Sequence, residues 1–204
     1  MPKVLFQPDQ FKRLLRRRRA IGADFLDEVW NGIYVMSPGA DNEHQELAGN
    51  FVTTLNIAIG DVQGVLVYPT VNISDRKLDW RRNYRIPDAS VFLPGNPAEN
   101  CGSHWFGGPD FAVEILSPGD RSRQKLSFYA KVGVRELLLV DRQPWTLELF
   151  RRQDRQWNLV GTSDPDQSSL LTSAVLPLTF RLVPADPRPL IEVTRTDGTR
   201  HWLV

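Results

Sequence analysis

One cysteine, Cys101, occurs in the 204 residues, which excludes an internal disulfide and points to a reducing compartment, the cytoplasm. Its setting, "NCGSHWFGG", offers one thiol and one histidine. That is too little for a structural zinc site, and the stretch reads as a loop with a free thiol. Long apolar runs are also missing: none approaches the ~18 residues of a membrane span. The basic N-terminus has no apolar segment of the kind a signal peptide requires, so no membrane partner is expected. Net charge is nearly absent, +1 at pH 7, so only the distribution of charge can speak for or against a nucleic-acid partner. Repeats, low-complexity tracts and clear linkers are lacking too. What is present is 41% hydrophobic residues, enough for one core that needs no stapling. A single domain over 1–204 is expected, with an N-terminal basic helix (1–22), a core (27–151) and a C-terminal β extension (152–204).

Residues 9–19, "DQFKRLLRRRR", place Phe11, Leu14 and Leu15 at helical spacing among six bases, the pattern of an amphipathic helix with a cationic face that Gly22 stops. "DEVWNGIYVMSP" reads as a hairpin turning at Asn31-Gly32, its return strand ending before Pro38. A long helix follows from a cap at Asp41 or Asn42 to Gly60, with Leu47, Phe51, Leu55 and Ile59 on one face. Strands are expected at 64–73 and 87–93, on either side of a charged loop. A strand at 110–116, a Pro-Gly-Asp helix start at 118–120, a helix to about 132 with a Gly133 stop, and the strand "RELLLVD" make a β-α-β unit. From 145 onward the pattern is a β-meander, with a Ser/Asp-rich loop at 162–169 and a last strand pairing near 189–193.

Within the strand at 110–116, Glu114 interrupts the apolar run Phe111, Ala112, Val113, Ile115, Leu116. An unpaired buried charge there costs several kcal/mol, roughly, so a partner, a metal or an altered protonation state is required. Alternation puts Ala112, Glu114 and Leu116 on one face. Asp88, after Pro87 at the start of "PDASVFL", is the nearest carboxylate that a neighbouring strand would bring alongside, although alone it reads as an ordinary strand-start acid. Two hard oxygen donors suit Mg²⁺ better than zinc. On the following helix, at about 100° per residue, Leu126, Phe128, Tyr129, Ala130 and Val132 form an apolar arc, and Lys125 projects inside it. That lysine either snorkels along the apolar edge or neutralises the carboxylates, and the second reading also accounts for Glu114.

The order "DEVWNGIYVMSP", then His44 on a following helix, "PDASVF" and "GPDFAVEILSPGDRSRQK" with the Tyr, Gly-Val and "LVD" that succeed it resembles the Uma2 endonuclease family, a branch of the PD-(D/E)XK superfamily. The resemblance covers roughly Asp27 to Arg151. It implies an α/β fold with a restriction-endonuclease-like mixed central sheet flanked by helices, to which the reading above adds the C-terminal β-meander. It implies a Mg²⁺-dependent (or Mn²⁺-dependent) nuclease hydrolysing DNA phosphodiesters, with the metal on Asp88, Glu114 and the Ile115 backbone carbonyl, and a homodimer. The standard motif has lysine two residues after the strand acid, where this sequence has Leu116. In the Uma2 pattern the lysine stands on the next helix, matching Lys125. His44 matches the family's recurrent histidine and is an accessory candidate for orienting water or phosphate, or else a helix-surface residue. Glu28 matches the acid before the hairpin and faces either the site or the surface.

Trp80, Arg81, Arg82, Tyr84 and Arg85 combine cations with aromatics just before Asp88. That composition suits phosphate contact by Arg81, Arg82 and Arg85, and equally a solvated basic loop. Two alternatives to the nuclease stay open: a catalytically inactive nucleic-acid-binding protein on the same fold, and a glycosidase with Glu114 as acid. The second fits poorly, because a general acid needs a raised pKa and a nearby lysine lowers it.

Overall fold

The computed structural model describes residues 8–37, 39–117 and 121–204. The Pro-Gly-Asp helix start at 118–120 and Pro38 lie outside them. In chain order the elements are α1 (Pro8–Ala20), β1 (Glu28–Trp30), β2 (Ile33–Val35), α2 (Asn42–Ile59), β3 (Leu66–Pro69) and β4 (Ile73–Ser74). A single 3-10 turn (Trp80–Arg82) leads to β5 (Tyr84–Arg85), β6 (Ala89–Phe92), β7 (Glu99–Asn100), β8 (Trp105–Phe106), β9 (Phe111–Ile115), α3 (Ser122–Val132) and β10 (Glu136–Arg142). Then come β11 (Trp145–Gln153), β12 (Gln156–Ser163), β13 (Leu171–Thr172), β14 (Leu178–Val183), β15 (Leu190–Arg195) and β16 (His201–Leu203).

The central sheet has the order β12-β11-β10-β9-β6-β3. It is mixed, because β9 and β10 run parallel across the α3 crossover while β6 and β11 flank them antiparallel. A side sheet, β2-β1-β5-β4-β8-β7, and a C-terminal antiparallel meander, β13-β14-β15-β16, complete the mixed α/β architecture.

Local sequence explains most of these boundaries. Asn31 and Gly32 both adopt positive φ, 49° and 85°, as a tight hairpin turn with the sheet's own twist requires. Asp41 caps α2 by accepting the His44 N–H, and Gly133 ends α3 at φ 94°, a left-handed value that glycine takes without strain. Every residue of β9 is buried, as expected of a strand covered on both faces. Phe111, Val113 and Ile115 point to Leu47, Phe51 and Leu55 of α2 and to the C-terminal meander. Ala112 points the other way, to Phe128 and Tyr129 of α3.

Two strand expectations are corrected. The segment 64–73 is not one strand: Thr70 takes φ 39° after Pro69, and the chain crosses there from β3 in the central sheet to β4 in the side sheet. The meander expected from 145 divides between two sheets, because β11 and β12 extend the central sheet before the C-terminal one begins at Leu171. The loop expected from 162 begins later, since β12 continues to Ser163, whose buried hydroxyl accepts the Leu182 N–H.

Candidate active site

β6 and β9 are neighbours, with Ala89 opposite Val113. Asp88, just before β6, therefore lies at the end of the sheet where β9 finishes. Its N–H donates to the Val113 carbonyl at 3.0 Å, and its Oδ2 accepts the Ile115 N–H at 2.7 Å. α2 begins at the same end. His44 reaches Asp88 Oδ2 at 3.4 Å and the Ile115 carbonyl at 3.0 Å through one nitrogen, Nε2. Since a carbonyl only accepts, Nε2 carries the proton.

Glu114 is 2% exposed and faces α3. Lys125 Nζ lies 3.1 and 3.0 Å from its two oxygens. The hydroxyl of Tyr129 donates to Oε1 and that of Ser122 to Oε2 at 3.1 Å. The same ammonium sits 3.0 Å from Glu28 Oε1. Glu28, buried at the start of β1, is fixed by the Ile86 N–H at 2.8 Å and the Trp30 indole N–H at 2.6 Å. One lysine thus bridges two buried carboxylates, with Asp88 as a third acid in the same field.

The electrostatics follow. Burial pushes the Glu114 carboxyl up to about 7, with Asp88 and Glu28 adding to the effect against the opposing pull of Lys125 and Tyr129. Burial disfavours charge on Lys125 as well, yet the three acids more than offset it and hold the ammonium above its usual pKa. For His44, too, burial lowers the pKa, but the bond to Asp88 and its charge win, and the net shift is upward. Tyr129 is raised by burial first and by Glu114 next, so it stays a donor.

Glu28, His44, Asp88, Glu114, the Ile115 carbonyl and Lys125 are therefore brought together. Leu116, at the position of the usual lysine, is half-buried against the α3 side of the core. Arg81 and Arg82 are exposed. Arg85 is a correction: it is 4% exposed, its guanidinium 4.6 Å from the Trp30 ring centre and 4.3 Å from that of Phe128. It also donates to the Val29 and Tyr84 carbonyls. Two aromatic faces and main-chain acceptors hold it inside, away from any phosphate. Of the Trp80 aromatics, the indole is stacked on His104 at 5.0 Å.

Ser122 was not singled out from sequence, and Tyr129 entered only as an apolar position and as part of the resemblance, with no role at the site. With Lys125 they form an i, i+3, i+7 stripe, the one available signal. Arg142 was missed as well: its guanidinium reaches the Leu116 carbonyl at 3.3 Å, Asp41 at 2.9 Å and Glu43 at 2.8 Å, tying the capped end of α2 to the end of β9.

Among the described residues, no group of three or more His, Cys, Asp or Glu side chains is placed to hold a metal ion. The donor set available is two carboxylates and a main-chain carbonyl, all hard oxygens of the kind Mg²⁺ takes. The residues fit a hard divalent ion on chemical grounds.

Residues 8–198 match the Uma2 family, described as "Putative restriction endonuclease". The fold is similar to a crystal structure described as a putative nuclease belonging to DUF820 from Anabaena variabilis ATCC 29413. That likeness has a TM-score of 0.56 at 19% identity, covers 73% of this chain and 82% of the other, and bears on the fold alone. No curated protein matches the chain.

Proposed function

The chain belongs to the Uma2 family, and from that premise we propose that it is a Mg²⁺-dependent nuclease hydrolysing DNA phosphodiester bonds at the Asp88–Glu114 site. The observation that carries the reading is the ammonium of Lys125 shared between the buried carboxylates of Glu114 and Glu28, beside Asp88 just ahead of the adjacent strand. Such a cluster stabilises nothing by itself that apolar packing would not supply, since burying ions is costly even when they are paired.

Asp88, Glu114 and the Ile115 carbonyl would hold the ion, which supplies polarisation of the scissile phosphate and a lowered pKa for the attacking water. The remaining roles belong to this chain's own groups. Lys125 places a fixed positive charge in a dry setting, where it stabilises negative charge developing on the phosphate. Glu28 and Tyr129 keep that ammonium and Glu114 in register. His44 donates to the Ile115 carbonyl and so fixes its direction, while Asp88 is oriented by the Ile115 N–H.

The test is cleavage of supercoiled plasmid with Mg²⁺ or Mn²⁺, run beside thermal melting with and without the ion. Wild type is expected to cut and to melt at a higher temperature with metal, as a ligand of the folded state requires. Asp88→Asn and Glu114→Gln should abolish both responses. A wild type that neither cuts nor shifts at millimolar metal rules the metallonuclease out. Binding of DNA without cutting would favour the inactive relative suggested by Leu116.

A further inference from the structure

Against 25 Lys and Arg and 24 Asp and Glu in the whole chain, α1 alone holds six bases and one acid in thirteen residues. The rest of the molecule therefore carries a net negative charge, and the excess cation sits on one helix. Its sides differ. Phe11 meets the ring of Tyr34 edge-on at 6.0 Å, and Leu14 and Leu15 are half-buried. Arg18 lies among them on the inner side, with its Nε and Nη2 at 2.8 and 2.6 Å from the carboxylate of Asp27, which is 1% exposed. Asp27 precedes Glu28, so this ion pair fixes α1 directly to the site's N-terminal strand. At about 100° per residue, Arg19, Lys12, Arg16, Arg13 and Arg17 follow in that order around an outer arc of about 160°. All five are exposed.

Little in this outer stripe serves the fold. Lys12, Arg13, Arg16 and Arg17 have no acidic partner among the described residues, and Arg19 only a distant one, Asp24 at 3.8 Å. Lys12 with Arg16 and Arg13 with Arg17 are like charges four apart, and each such pair destabilises a helix. The helix dipole rewards the cations of the last turn, Arg17 to Arg19, but not Lys12 and Arg13. A charge pattern that weakens its own helix calls for an anionic partner outside the chain. The partner is not a lipid surface, because an interfacial helix needs its apolar side free, and here Phe11, Leu14 and Leu15 are turned inward.

Resting on the nuclease reading, we propose that the outer face of α1 is the phosphate grip that holds duplex DNA across the site. Lys12, Arg13, Arg16 and Arg17 contact the backbone without reading bases. The Trp80–Arg82 turn, whose Arg81 and Arg82 are exposed, packs against the tip of the same hairpin that Phe11 touches, the Arg82 carbonyl accepting the Gly32 N–H.

The experiment is fluorescence anisotropy of a labelled duplex of arbitrary sequence titrated with the full chain in EDTA, repeated over a range of salt. Each phosphate contact contributes about 0.9 to the slope of log affinity against log salt, or roughly eightfold in affinity at 0.1 M salt. Replacing Lys12, Arg13, Arg16 and Arg17 together by Ala is expected to lower the slope by about 2 or more and weaken binding by roughly 60-fold or more. The melting temperature serves as the fold control, and the milder Lys12→Gln with Arg16→Gln is expected to lose about half the effect. An unchanged slope overturns the proposal and leaves the nuclease reading standing, as does binding to phosphatidylserine vesicles that alone depends on these residues. A wild type that does not bind duplex at all also overturns it. Plasmid cleavage is read separately: a slope that falls as expected in a protein that never cuts sustains the grip and removes the nuclease.

Discussion

Lys125 is the side chain on which the proposed cleavage is expected to turn. Lys125→Ala deletes the cation beside Glu114 and Glu28 and is expected to lower cleavage by about 10²-fold or more, the scale of losing one electrostatic stabiliser. The metal-dependent rise in melting temperature should persist, since both carboxylates remain. Cleavage at the wild-type rate would reduce Lys125 to a counter-ion. Glu114 and Lys125 were legible in the sequence because each is a charge inside an apolar pattern, which one strand and one helix suffice to reveal. Tyr129 was not, because a phenol counts as apolar until its hydroxyl is seen to donate. Arg85 was misread for the opposite reason: the rings that enclose it, Trp30 and Phe128, come from 55 residues before and 43 after in the numbering, and no local pattern announces them.

Among the elements, α2 carries the site's histidine, and its first turn depends on one exposed acid. The Arg142 guanidinium, and after it the His44 N–H, hold the Asp41 carboxyl down at about 2, against an ordinary 3.8. A depressed acid contributes stability above its unfolded pKa and loses it as pH falls through the folded one. Asp41 should therefore support the fold at pH 5 and above and lose that support between about pH 4 and pH 2. Melting curves of wild type and Asp41→Asn are expected to converge across that window, since asparagine caps a helix but makes no ion pair. A gap unchanged down to pH 2 would show that Arg142 gains nothing from the charge. Helices and turns such as these were readable because caps and glycines act locally. The split of 64–73 was not, because which sheet a strand joins is decided by partners far along the chain.

Across the whole molecule, the central sheet and the C-terminal meander are joined by Phe111 stacked on Phe180 at 5.5 Å and by one wholly buried acid. Glu136, 0% exposed at the start of β10, takes bonds from Arg151, the Ser173 hydroxyl and the Ala174 N–H. Glu136→Ala leaves these donors facing a void and is expected to cost about 3–5 kcal/mol, as when one partner of a buried pair is removed. Denaturant unfolding measures it, and a loss below about 1 kcal/mol would mean that the meander docks by its apolar face alone. The same carboxylate has a consequence for biosynthesis. Ser173 follows Glu136 by 37 positions, so as the chain grows from its N-terminus every segment of the candidate site is made before this donor to Glu136. On the ribosome β10 would emerge with Arg151 as the first partner of its acid, and Glu136 gains its remaining donors only once Ser173 and Ala174 have been made.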